Sequence, residues 1–148
     1  MHVKVIAEGG INHNGDLATA KCLIDTAVIA GCDYVKWQKR TPDLCVPEEQ
    51  KNKPKSTPWG DMTYIDYKHR VEFGENEYKE LIDYCGDRIK CFASVWDKPS
   101  VDFMKPLSNI TKIPSALITD LDLCKYARDN FETLIISTGM STEEEIEK

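Results

Sequence analysis

Seven polar residues stand where short apolar runs of this sequence stop. They are Glu8 after VKVIA, Lys36 and Gln38 in YVKWQ, Ser94 in CFASV, Lys112 and Ser115 in ITKIPS, and Ser137 in LIIS. Lys36 lies between Val35 and Trp37, and Lys112 between Thr111 and Ile113, so each ammonium is embedded in a stretch that reads as sheet. A cation in such a place is costly unless it is paired. Each lysine therefore reaches for the rim, pairs with a carboxylate such as Glu8, or joins the other in a clamp for a phosphate or carboxylate. The hydroxyls of Ser94, Ser115 and Ser137 are neutral donors for the same anion, and each leads toward a helix N-terminus, where anions are favoured. Lys36 and Gln38 stand two apart on one strand and so point to one side of it.

These residues need a framework that gathers strand ends, and the hydrophobic period supplies one. Residues 3–8, 33–38, 89–95, 109–115 and 133–139 read as strands, the last nearly all apolar, as in parallel strands buried on both faces. Helical spacing follows each of the first four. Asn14 or Asp16 caps the first helix and Gly31 stops it; Tyr78, Leu81, Ile82 and Cys85 mark the second. Asp97 with Pro99 opens the third, Thr119 or Asp120 caps the fourth, and Ser141 with Glu144 forms a capping box for a fifth. Residues 39–73, rich in Lys, Glu and Pro, interrupt the alternation, and an excursion of that length is functional or mobile. The pattern is that of a parallel α/β sheet, whose ligands bind beyond the carboxyl ends of the strands. A complete (β/α)8 barrel takes about 250 residues. Five strands and a helix that stops in its opening turn read as an incomplete TIM-type barrel, the front part of something longer. A self-sufficient five-stranded doubly wound sheet is the alternative architecture.

Composition narrows the partners. The chain has 148 residues, 41% of them hydrophobic and 30% charged, with a formal net charge of -6, which suits one globular domain and repels an extended phosphate backbone. No Lys/Arg stripe offsets that field, so nucleic acid is not an expected partner. No apolar run reaches the about 18 residues a membrane span needs, and MHVKVIAEGG carries no signal-peptide core, so a cytoplasmic protein is expected. Six cysteines without a CxxC pair read as reduced core thiols. His13, alone in an Asn/Gly turn with His2 and His69 elsewhere, reads as a loop hydrogen-bonder, and no metal ligand set is expected in this chain.

Two segments, IAEGGINHNGDLATAKCLIDTAVIAGCDYVKWQ and LIISTGMSTEEEIE, resemble the sialic acid synthase family, that is, N-acetylneuraminate synthase and its legionaminate and pseudaminate relatives. The similarity is strong at both ends of the chain and weak from about residue 45 to 70. It implies a (β/α)8 barrel that condenses phosphoenolpyruvate with an N-acetylated hexose such as N-acetylmannosamine, releasing phosphate and forming a nine-carbon 2-keto acid. Residues 1–148 then form its N-terminal part, without the later barrel half and the C-terminal antifreeze-like domain. By position the resemblance places Lys36, Ser94, Lys112, Ser115 and Ser137 on phosphoenolpyruvate, Gln38 on the sugar, and Glu8 as a catalytic carboxylate. Gly9, Gly10 and the Asn/His/Gly turn would bend the backbone over that carboxylate. The complete enzyme is expected to carry a divalent metal, Mn or Mg, on histidines outside this chain. Two departures stand out: Ser94-Val95 replaces a Thr-Pro pair, and Ala116-Leu117 replaces Gly-Glu. They keep two other readings open, a synthase for a different sugar and an inactive phosphoenolpyruvate-binding half barrel. The first and last strands, unpaired on their outer sides, predict self-association or pairing with the missing half.

Overall fold

The computed structural model describes residues 3–148; His2 lies outside the described residues. In chain order the elements are β1 (Ile6–Gly10), α1 (Leu17–Ile29), β2 (Tyr34–Lys39), the short helices α2 (Pro42–Cys45) and α3 (Glu48–Lys51), and the hairpin strands β3 (Pro54–Thr57) and β4 (Gly60–Thr63). There follow α4 (Tyr64–Val71), α5 (Glu75–Cys85), β5 (Lys90–Val95), α6 (Lys98–Met104), β6 (Ile110–Ile113), a 3-10 turn (Ser115–Leu117), α7 (Leu121–Asn130), β7 (Thr133–Ile136) and α8 (Glu143–Ile146). Side chains close the helix starts. Asp16 accepts from the Thr19 N–H, Asp97 from Ser100 and Asp120 from Leu123.

β1, β2, β5, β6 and β7 form one parallel sheet in that order. Because spatial order follows chain order, right-handed crossovers send α1, α5, α6 and α7 to the same side. Ala20 and Ile24 of α1, Tyr78 and Leu81 of α5, Val101 and Met104 of α6 and Leu123 and Ala127 of α7 join one core with Val35, Trp37, Ala93, Val95 and Ile113 of the strands. Each buried Val, Leu, Ile or Met among them contributes about 1.5–3 kcal/mol. A doubly wound sheet needs a reversal of strand order and helices on both faces, so that alternative is excluded. Trp37 anchors the core: its indole N–H donates to Cys91 Sγ at 3.1 Å, and its ring lies where a Cβ on Gly9 would stand, 2.3 Å away. Only a glycine lets β1 pass so close.

Several expectations are corrected. Gly9 and Gly10 are not turn residues but the end of β1, with a bulge between Glu8 and Gly10. β7 is shorter than expected and is not buried on both faces. It is an edge strand, and Ile136 is 43% exposed. The last capping box lies one residue further on, between Thr142 and Glu145, because Ser141 still belongs to the turn that bonds back to Thr138. The six cysteines are free thiols, yet only Cys85 is buried and Cys22, on the outer flank of α1, is exposed. The excursion after β2 is structured: the β3–β4 hairpin packs on α4, and α4 carries the chain back beside β2.

Candidate functional site

Paired residues of a parallel ladder project to the same side. Glu8 pairs with Lys36, Lys36 with Phe92, Gln38 with Ser94, Ser94 with Lys112 and Lys112 with Ile135. One face of four adjacent strands, the face opposite the helices, therefore carries Glu8, Lys36, Gln38, Ser94 and Lys112 near the carboxyl ends. Toward the other end of that face Phe92 is fully buried and meets Tyr34 edge to face, ring centroids 5.8 Å apart, forming an apolar floor.

Above that floor the charges meet. Lys36, 6% exposed, forms an ion pair with Glu8 and donates to Ser94 Oγ at 3.2 Å. Lys112 stands on the neighbouring strand with no carboxylate within ion-pair distance among the described residues. Burial pushes its pKa below the ordinary lysine value and the Lys36 ammonium pushes it further, while Glu8 acts the other way. Two cations thus share one carboxylate on a protein that is acidic overall. The surplus of positive charge beside the buried Ser94 hydroxyl is what a small polyanion requires.

The two remaining serines sit on adjoining strand ends. Ser115 opens the 3-10 turn, so close to the chain leaving β7 that a Cβ on Gly139 would lie 3.4 Å from its own Cβ. Ser137 extends the ladder past β7, its N–H donating to Ile113 O at 3.1 Å. No side-chain hydrogen bond among the described residues joins either serine to the lysines. Five of the seven predicted residues thus share one strand face, and two flank it without a bond. Glu8 is the most open of the five, with 54% of its side chain exposed.

Two residues missed in the sequence, Arg40 and Glu72, complete the rim. Arg40, two beyond Gln38, donates to the Gln38 side-chain oxygen and stacks on Trp96, 4.6 Å from its ring centroid. Glu72, at the end of α4, accepts from the Arg40 N–H at 3.0 Å and from Lys39 Nζ at 3.1 Å. Burial raises the Glu72 pKa, and Lys39 opposes the rise. Arg40 had a signal, the same two-residue spacing that joins Lys36 to Gln38. Glu72 had none, because it arrives through an excursion of more than thirty residues.

His13 is the loop hydrogen-bonder that its turn suggested, and it is buried. It is 2% exposed, stacked on Phe73 with centroids 3.9 Å apart and edge-on to Trp37 at 5.5 Å, and its Nδ1 accepts from the Gly15 N–H at 3.0 Å. Burial lowers its pKa to about 4, so the ring is neutral with its proton on Nε2 at ordinary pH. It braces the rim from below.

Cations and hydroxyls gathered on the carboxyl ends of a one-sided parallel sheet define an α/β protein whose polar site lies at the strand ends. The comparisons narrow this class. Residues 23–148 match the model of the NeuB family, and the chain belongs to that family. It is 36% identical to N,N'-diacetyllegionaminic acid synthase of Campylobacter jejuni, over 97% of this chain and 44% of that protein. It is 33% identical to N-acetylneuraminate-9-phosphate synthase of Drosophila melanogaster, over 99% of this chain and 40% of that protein. The structure of N-acetylneuraminic acid (sialic acid) synthetase from Leptospira borgpetersenii, solved in complex with citrate, superposes with a TM-score of 0.86 at 29% identity, covering 99% of this chain and 48% of that one. The chain spans less than half the length of each of these three proteins. No helix among the described residues is long and apolar enough to cross a membrane.

Proposed function

We propose that residues 1–148 form the N-terminal, phosphoenolpyruvate-binding part of a (β/α)8 barrel that makes a sialic-acid-type 2-keto acid. In this reading carbon 3 of the enol attacks the aldehyde carbon of an N-acetylated hexose, and the aldehyde oxygen takes up a proton. Water adds at carbon 2, the bond from that carbon to the phosphate oxygen breaks, and inorganic phosphate departs. Lys36 and Lys112 neutralise the incoming anion, with Ser94, Ser115 and Ser137 as uncharged donors around it. Gln38 meets the sugar. Glu8, held by Lys36 yet open on its other side, is the carboxylate within reach of the reacting atoms. The observation that carries the reading is the cluster on one strand face in which Lys36 holds both Glu8 and the buried Ser94 hydroxyl while a second cation, Lys112, stands beside them. The citrate complex of the Leptospira synthetase is in keeping with a polyanion site in this fold.

The residues present do not compose a divalent metal site by themselves. No group of three or more His, Cys, Asp or Glu side chains converges among the described residues, and Glu8 is engaged by Lys36. No step is therefore assigned to a metal here; Mn or Mg in the complete enzyme would rest on ligands outside this chain. The acceptor is the open variable. Leu117 lines a cavity of about 700 Å³ together with Leu44, Trp96, Asp97, Ala116 and Asp120. Leu117, standing where the resemblance expects a glutamate, keeps a second reading open, in which the acceptor is a sugar other than N-acetylmannosamine.

Thermal unfolding with and without phosphoenolpyruvate tests the proposal. Ligand at a hundred times its Kd stabilises by about 2.7 kcal/mol, a shift of several degrees for a domain of this size. The wild type should show that shift, and Lys36→Met and Lys112→Met should lose it. A wild type indifferent to phosphoenolpyruvate would end the reading. β1 and β7 each pair on one side only, so association through these edges is also proposed. Light scattering that finds a monomer at every concentration would contradict it.

A further inference from the structure

At the exit of β2 the fold buries a guanidinium that no carboxylate neutralises alone. Arg40 is 7% exposed, and Glu72, the acid beside it with Oε2 3.7 Å from Arg40 Nε, is shared with Lys39. Arg40 Nε and Trp96 Nε1 are both buried without a hydrogen-bond partner. Buried N–H groups left unpaired mark a place where geometry serves something other than stability. What Arg40 does hold is Gln38: its terminal nitrogen donates to the Gln38 side-chain oxygen. A guanidinium has donors only, so it must select the oxygen of the amide, and Gln38 Nε2 faces away from it. On that side lies Gly10, at φ +57, where an added Cβ would stand 3.2 Å from Glu8 Oε1 and 3.6 Å from Gln38 Nε2. The missing side chain leaves a niche with an acceptor wall and a donor wall.

We propose that Arg40 is a positioning residue: anchored by Glu72 and Trp96, it clamps Gln38 so that the amide nitrogen points into the niche above Gly10 as a fixed donor to an oxygen of the acceptor sugar. The inference rests on the reading of the site as an N-acetyl-sugar synthase. It explains why a cation is buried one side chain away from the site. Arg40 never touches the substrate; it fixes which end of the Gln38 amide faces the niche.

Gln38 and Gln50 are the two glutamines of the chain, so nitrogen-15 labelling of glutamine yields two side-chain amide pairs, and Gln38→Asn identifies one of them. In the wild type the Gln38 pair should show a heteronuclear NOE close to that of the sheet backbone, while Gln50 serves as the looser reference. Arg40→Met should drop the Gln38 value to that of Gln50. Arg40→Lys, which still only donates, should retain most of it. A Gln38 amide as mobile as Gln50 in the wild type overturns the proposal even if the Met variant fails to fold, and so does a rigid pair that Arg40→Met leaves unchanged. Addition of N-acetylmannosamine with phosphoenolpyruvate should then shift the Gln38 pair beyond what phosphoenolpyruvate does alone. A clamped, Arg40-dependent amide that the sugar does not move overturns the acceptor role of Gln38, whereas failure of the proposed function as a whole shows in the absence of any response to phosphoenolpyruvate.

Discussion

Replacing His13 by Asn separates a titration from a packing effect. Asn offers a carbonyl oxygen where His13 Nδ1 accepts from Gly15, but it cannot bind a proton in the accessible range. In the folded chain burial holds the imidazole pKa at about 4, against the ordinary value of 6.5, with Asp16 pulling weakly the other way. A base whose folded pKa is lowered binds more protons when unfolded, so its contribution to stability is complete above the unfolded value and lost as pH falls. Lowering the pKa from 6.5 to about 4 corresponds to about 3 kcal/mol, and linkage puts roughly 2 kcal/mol of it between pH 7 and pH 5. Urea midpoints for both proteins at half-unit steps measure this. The wild type should lose about 2 kcal/mol more than His13→Asn between those limits, although the variant starts lower because it gives up the Phe73 stack. Curves that fall in parallel would show that His13 protonates in place and that its burial carries no such cost.

Two further predictions concern the rim. Asp97 accepts from Ser100 N at 2.7 Å, Thr41 N at 2.6 Å and Cys45 Sγ at 3.1 Å, tying the excursion after β2 to α6, so Asp97→Ala should cost about 1–3 kcal/mol in chemical denaturation. A loss under 0.5 kcal/mol, roughly that of a neutral surface change, would rule out the tie. The Lys112 ammonium is disfavoured by burial and by Lys36, so phosphoenolpyruvate affinity measured by calorimetry should weaken as pH rises, starting below the ordinary lysine range. Lys112→Arg should move that decline to higher pH; an unmoved profile would mean that Lys112 does not hold the anion.

What local sequence determines here is the order of the elements and the identity of the residues at their ends. Period-two and period-3.6 patterns, the caps Asp16, Asp97 and Asp120 and the lysines set among β-branched neighbours are all properties of a few adjacent residues, and they survive folding with shifts of a residue or two. The family was legible for the same reason, since its motifs are contiguous. Only the tertiary structure decided the register that sets Glu8 beside Lys36 and Ser94 beside Lys112, because pairing joins segments tens of residues apart and leaves no local periodicity. It alone brought Glu72 onto Arg40, stacked Phe73 on His13 and left β7 half exposed at an edge. Burial and charge coupling belong to neighbours in space, and a chain read one residue after another names its neighbours only in sequence.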